Sequence, residues 1–196
     1  MVEGAWRVPD DLVWRGRQYD AQHRGGGVVV ELKSHLPIER QTRVIGATWL
    51  DQQLISGGKG LGDVGFGGEV KKAMQQRAEF LAEQGLAERR DQRLFLARNL
   101  LAKLRGRELT KVGQDIAAET GLEHQAVANG QRVVGVYRRS VMLASGRYAL
   151  LDSGTGFFLV PWTPMIEQRV GQRLSATLGQ TGISWGIEKQ QGPPLM

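Results

Sequence analysis

Residues 131–162 read QRVVGVYRRSVMLASGRYALLDSGTGFFLVPW, and the rest of the chain is organised around this stretch. It predicts three consecutive strands. Val134, Val136 and Met142 alternate with Gly135, Tyr137 and Val141, and Tyr148, Leu150, Phe158, Val160 and Trp162 continue the same period of two. Ser145-Gly146 and Asp152-Ser153-Gly154-Thr155-Gly156 supply residues that tolerate positive φ where the chain reverses. Thr163-Pro164 then predicts a helix over residues 164–170, with a hydroxyl for the N-cap, a proline at the first position and Gly171 as the stop. Two more alternating runs follow. Leu174, Ala176 and Leu178 face one way and Arg173, Ser175 and Thr177 the other, and Ile183, Trp185 and Ile187 form the last run. Five short strands with one helix between the third and fourth is the order of an OB-like barrel, and an SH3-like barrel shares the strand count. Closure would remove exposed edges and give the segment a small core of its own.

Upstream the pattern turns helical. Residues 9–22 predict a helix with Pro9, Asp10 and Asp11 at its positive end, Leu12, Gly16 and Tyr19 on one face, and three glycines after it. Residues 28–32 predict a short strand, and residues 47–55 a helix carrying Trp49, Leu50 and Leu54. Residues 69–84 are the clearest helix, with Val70, Ala73, Met74, Arg77 and Leu81 at helical spacing and Gly85-Leu86 as a C-cap with its apolar follower. Residues 86–97 predict a hairpin with Arg89, Arg90, Asp91, Gln92 and Arg93 at its tip. A helix followed by a basic hairpin is similar to the end of a winged helix. Residues 99–120 predict a long helix striped by Leu101, Leu104, Glu108, Val112 and Ile116, and residues 121–130 a linker. The expected architecture is therefore α+β: a mainly helical domain over residues 1–122, winged-helix-like at its helix and hairpin, then a small five-stranded barrel over residues 130–190.

The Gly-rich stretch at residues 57–68, GGKGLGDVGFGG, contains Gly60-x-Gly62-x-x-Gly65, the spacing of a dinucleotide-binding turn. That turn needs a strand before it, and the preceding WLDQQLI reads helical. Gly60 also stands where a P-loop would place the Ser or Thr that follows its lysine. The stretch reads as a connector. Paired carboxylates, a Ser/His/Asp set and metal-ligand spacing are not visible elsewhere, so neither an enzyme nor a cofactor site is expected.

Composition sets the context. The chain has 196 residues, 41% of them hydrophobic, and a net charge of +6, which suits a folded protein with polyanionic partners. Cysteine is absent. Disulfides and thiolate metal sites are thereby excluded, and a reducing cytoplasm is the expectation. No signal-peptide core and no run near the about 20 apolar residues of a spanning helix is present, so no membrane partner is expected. The positive charge is concentrated. Residues 86–111 hold eight basic side chains (Arg89, Arg90, Arg93, Arg98, Lys103, Arg105, Arg107, Lys111) against three acids, Glu88, Asp91 and Glu108, an excess of five. A phosphate-tracking surface requires such a local excess. In the barrel, Tyr137, Arg138, Arg139, Arg147 and Tyr148 offer rings and cations near one strand pair, the pairing that single-strand-binding barrels use. The expected DNA-binding set is Arg89, Arg90, Arg93, Arg98, Arg105, Arg138, Arg139, Arg147, Tyr137 and Tyr148.

The runs GVYRRSVMLASGRYALLD (135–152), GFFLVPW (156–162), IEQRVGQRL (166–174) and GISWGI (182–187) carry a further signal, with LKSHLPIERQTRVIGATWLDQQL (32–54) and EFLAEQGLAERR (79–90) upstream. Together they resemble the C-terminal, functionally undefined domain of bacterial relaxase and mobilization nuclease proteins. The resemblance implies DNA processing for conjugation, with DNA and other transfer proteins as partners. It implies no task for this region by itself. Relaxases cut with an N-terminal tyrosine and a metal-binding histidine cluster, whereas His23, His35 and His124 here are scattered and form no His-hydrophobe-His triplet. The expected role is a non-catalytic accessory region that binds DNA electrostatically, or alternatively a module that docks a relaxase onto other transfer components. Supercoiled plasmid incubated with the chain and Mg²⁺ should stay supercoiled on a gel; metal-dependent conversion to open circles would contradict this reading.

Overall fold

The computed structural model describes residues 33–91, 93–179 and 182–188. The expected helix at 9–22 and strand at 28–32 lie outside the described residues. From Leu36 onward the described residues form one compact unit, in which helices precede a sheet, an α+β arrangement.

Local chemistry sets each boundary in the helical half. A single turn, α1 (Ile38–Gln41), precedes α2 (Trp49–Ser56). Thr48 and Asp51 form a capping box at the start of α2, and Gly57 in the left-handed region ends it. Residues 57–64 are the connector. Helix α3 (Gly65–Glu83) therefore takes up the last glycines of the Gly-rich stretch and begins four residues earlier than periodicity suggested. It closes with a Schellman pattern: Leu86 N donates to Leu81 O and Gly85 N to Ala82 O. The hairpin follows at once, β1 (Ala87–Arg90) against β2 (Arg93–Leu96), with Asp91 at φ +54° in its turn. Asn99, also left-handed, leads into α4 (Leu100–Thr120), which Gly121 ends.

The sheet has six strands. They are β3 (Glu123–His124), β4 (Arg132–Leu143), β5 (Gly146–Asp152), β6 (Gly156–Pro161), β7 (Arg173–Leu178) and β8 (Ile183–Ile187), in the order β3-β6-β5-β4-β7-β8. The five strands expected downstream are present, and part of the expected linker adds the sixth, β3, parallel to β6. The barrel itself differs from expectation. β8 pairs only with β7, and no ladder among the described residues joins it to β6, so the sheet stays open. The expected helix at 164–170 is a 3-10 turn, Pro164–Ile166, and Thr163 makes no side-chain cap. Gly171 N already donates to Tyr137 O at 2.7 Å, so the sheet takes the chain back before an α-helix can form.

A bulge in β4 organises the two faces of the sheet. The register slips between Tyr137 and Arg139, and the extra residue reverses which face odd-numbered side chains occupy. Before it, Val133 and Tyr137 join Ala149, Leu151, Phe158, Val160, Leu174 and Ala176 in one core. After it, Leu143 joins Tyr148, Leu150, Phe157 and Leu159 in the other, against Ile116 of α4. The expected unbroken alternation is thus two half-patterns out of phase. Helix α4 connects both halves of the unit. Its first turns, through Leu100 and Leu104, pack with Leu81 and Leu86, while Leu109, Val112 and Ile116 pack on the sheet.

The helical half is tied by a buried ion pair. Arg77 and Asp51 are both 0% exposed. Arg77 Nε donates to Asp51 Oδ1 at 2.8 Å and Nη2 to Oδ2 at 2.9 Å. The remaining donors reach Val44 O and Gly46 O, both at 2.7 Å. A second buried carboxylate, Glu108, accepts from Ala144 N at 2.6 Å and Ser145 N at 3.2 Å, fastening the β4–β5 turn to α4. At the sheet edge the His124 ring lies against Gly113 of α4 and 5.2 Å from the Phe157 ring, and this burial lowers its pKa from the usual 6.5.

Two predictions follow from this packing. Arg77→Ala leaves Asp51 charged and unpaired in the interior and should cost about 3–5 kcal/mol in urea unfolding, whereas a loss below about 1 kcal/mol would show the pair to be dispensable. The unfolded chain protonates His124 more readily than the folded one, so stability should fall as pH drops below 6.5 toward the lowered folded-state value and stay level above it. His124→Gln should flatten the urea midpoint between about pH 7 and 5; an unchanged slope would refute the linkage.

Candidate nucleic-acid interface

All eight basic side chains between Leu86 and Lys111 are exposed, and so are the acids Glu88 and Asp91, but Glu108 is buried. The surface is therefore more basic than the residue count suggested. Hairpin pairing concentrates it further. Arg90 stands directly across from Arg93 at the tip. Like charges opposed in a ladder destabilise it. Glu88 relieves this in part: Arg90 Nε and Nη2 each reach its carboxylate at 2.8 Å. The contact holds the Glu88 carboxyl below, and the Arg90 guanidinium above, its ordinary pKa. Arg90 also lies over the exposed Phe95 ring, 5.8 Å from its centroid.

The ten expected binding residues divide into two groups. In the hairpin and α4 half, Arg89, Arg93, Arg98 and Arg105 are exposed and make no ion pair with any described residue. In the sheet half each of the three expected cations has a carboxylate beside it. Arg138 Nη2 reaches Asp152 Oδ2 at 2.7 Å, and this contact, with a bond from Gly154 N, holds the Asp152 carboxyl below its usual range. Arg139 lies 3.7 Å from Glu119. Arg147 donates to Ser140 Oγ at 2.9 Å, contacts Glu167 at 3.0 Å and lies 3.9 Å from the centroid of the Trp162 ring. It braces the sheet. Tyr137 and Tyr148 are 1% and 4% exposed and lie on the two buried faces, so neither ring can stack on a base. Burial raises the pKa of the Tyr148 phenol, whose oxygen is 3.3 Å from Ser145 Oγ. The two tyrosines are core residues, a correction to their expected role.

Two open grooves adjoin the hairpin. One, of about 650 Å³, runs along α4 and is lined by Leu86, Lys103, Arg107, Thr110, Lys111 and Gln114 together with two glycines. Lys103, Arg107 and Lys111 recur every four residues, so they share one face of the helix. Arg107 Nη1 donates to Gln84 O at 3.2 Å, which caps the negative end of α3. The second groove, of about 270 Å³, lies between α2, α3 and the hairpin; Leu54, Met74, Ala78 and Leu94 form its apolar lining, with Lys71 and Arg89 beside them. Sequence reasoning counted Lys103, Arg107 and Lys111 in the basic run but left them out of the expected binding set and did not foresee the groove, although their i, i+4, i+8 spacing was a usable signal.

The family model described as "Protein of unknown function (DUF3363)" matches residues 1–194. The chain belongs to that family. No curated protein and no solved structure matches it. Among the described residues no helix is long and apolar enough to cross a membrane, and no group of three or more His, Asp or Glu could hold a metal ion.

Proposed function

We propose that this chain is a non-catalytic accessory region of a conjugative relaxase or mobilization protein and that it binds DNA through the phosphate backbone. The resemblance of its sequence runs to the C-terminal regions of relaxases supplies the context. The observation that carries the binding reading is the asymmetry of charge. Arg89, Arg93, Arg98 and Arg105 stand without ion pairs among the described residues on the hairpin and the start of α4, while Arg138, Arg139 and Arg147 on the sheet are each matched by a carboxylate. Arg90 stands opposite Arg93 at the hairpin tip, which destabilises the ladder, and Glu88 pairs with Arg90 alone. The hairpin would act as a wing laid on the DNA backbone. Affinity would come from counterion release and would fall steeply with salt.

A second reading, a module that docks a relaxase to other transfer components, is favoured by one observation: the small groove with Leu54, Met74 and Leu94 in its lining and cations beside them, suited to an apolar segment that carries acids. Met74→Glu would block that groove without touching the arginines.

Fluorescence anisotropy with labelled DNA tests the first reading. Arg89→Ala, Arg93→Ala and Arg98→Ala combined should weaken binding roughly tenfold or more at low salt and make its salt dependence shallower. Arg138→Ala with Arg139→Ala should leave affinity unchanged. Absence of binding to both single- and double-stranded DNA at low salt would refute the proposal.

A further inference from the structure

We infer that the groove along α4 is a backbone track for one strand of a nucleic-acid duplex, with Lys103, Arg107 and Lys111 each facing one phosphate. The inference rests on the DNA-binding reading above and adds where, and on what form of nucleic acid, the grip falls. Three cations and no acid line the groove. Lys103 and Lys111 are eight residues apart, so the row extends about 12 Å along the helix. One strand of a duplex carries a phosphate about every 3.4 Å of axis, so a row of this length spans about four of them, and cations about 6 Å apart can each reach a different one. Gly85 and Gly106 leave backbone bare in the lining, and a Cβ added at Gly106 would meet nothing, so the floor is open to a bulky chain. Thr110 and Gln114 add hydroxyl and amide donors that a phosphate oxygen can accept from.

Two features bear on whether this surface is free to act. Helix α3 ends beside the groove, and Arg107 meets its negative end through Gln84 O. Lys111 is paired with Asp115 at 2.9 Å, but both partners are more than half exposed, so a phosphate can replace the carboxylate at little cost. Among the described residues no aromatic side chain lines the groove. Single-stranded nucleic acid draws much of its affinity from base stacking, which this surface does not offer. A duplex holds its phosphates in a fixed row and needs no stacking. The groove therefore selects for duplex and is indifferent to sequence.

The test measures binding of a labelled mixed-sequence duplex, and of one of its strands alone, to the full chain over a series of salt concentrations. Lys103→Gln with Lys111→Gln removes two of the three phosphate partners while keeping good helix formers, and circular dichroism checks the fold. The slope of log K against log salt should become shallower by about 1.8 for the duplex. The wild type should prefer duplex over single strand, and a scrambled duplex should bind equally well. An unchanged slope in the variant, with binding still lost on removal of Arg89 and Arg93, would overturn the groove and leave the hairpin reading standing. Tighter binding of the single strand, or equal displacement of the duplex by polyglutamate, would also overturn it. Failure of the wild type to bind any DNA would instead defeat the reading on which the inference rests.

Discussion

The Arg77–Asp51 pair is the constraint on which the helical half depends. Two full charges have been taken out of water, and that cost is offset because each guanidinium nitrogen and both carboxylate oxygens find a partner. Arg77 spends its donors on both Asp51 oxygens and on the carbonyls of Val44 and Gly46. Asp51 in turn accepts from Thr48 N at 2.7 Å, so the same carboxylate caps α2 and anchors α3. The Phe80 ring lies beside the guanidinium, 5.3 Å away at its centroid. One interaction thus fixes the α1–α2 loop, the start of α2 and the middle of α3. With α3 held, its Schellman end sets where the hairpin begins, and the hairpin carries the free arginines. A charged core has become the rigid mount for a charged surface.

Helix α4 transmits that rigidity to the sheet. It shares one core with α3 and the hairpin and another with the sheet, and Glu108 lies between the two, bound to the β4–β5 turn. The bulge at Arg138 makes the second contact possible, because it turns Leu143 toward α4 after Tyr137 has turned the other way. The open sheet buries a core on each face without sealing its edges by hydrogen bonds. Four of its cations are paired within the structure: Arg147 clamps the 3-10 turn through Glu167, Arg138 closes the β5–β6 turn through Asp152, Arg132 meets Glu188 and Arg139 lies beside Glu119. The sheet is a scaffold in this account, and the charged business lies on the hairpin and helix.

Much of this was legible in the sequence, and the misses share one cause. Strands β4 to β8, the hairpin and helices α2 to α4 follow from period and punctuation, which are local. Arg77 and Glu108 sit on apolar stripes of their helices, and an ionisable side chain at such a position signals a buried partner. The partners, Asp51 and the Ala144–Ser145 amides, are far away in sequence and so could not be named. Tyr137 and Tyr148 looked like candidate binding rings because alternation gives two faces without saying that both are buried. Arg138, Arg139 and Arg147 looked free because their partners, Asp152, Glu119 and Glu167, lie on other elements and are distant in sequence. Barrel closure failed for the same reason: strand number is local, whereas a pairing between β6 and β8 is not.

The account's central claim is that a rigidly mounted basic hairpin and the face of α4 that follows it, and not the sheet, meet the polyanion. The most direct measurement is the pattern of backbone amide chemical-shift changes when duplex DNA is titrated into the labelled chain at low salt. The account predicts changes concentrated in residues 87–98 and along Lys103, Arg107 and Lys111, with β7 and β8 unmoved. Changes concentrated on the sheet around Arg138, Arg147 and Trp185 would contradict it.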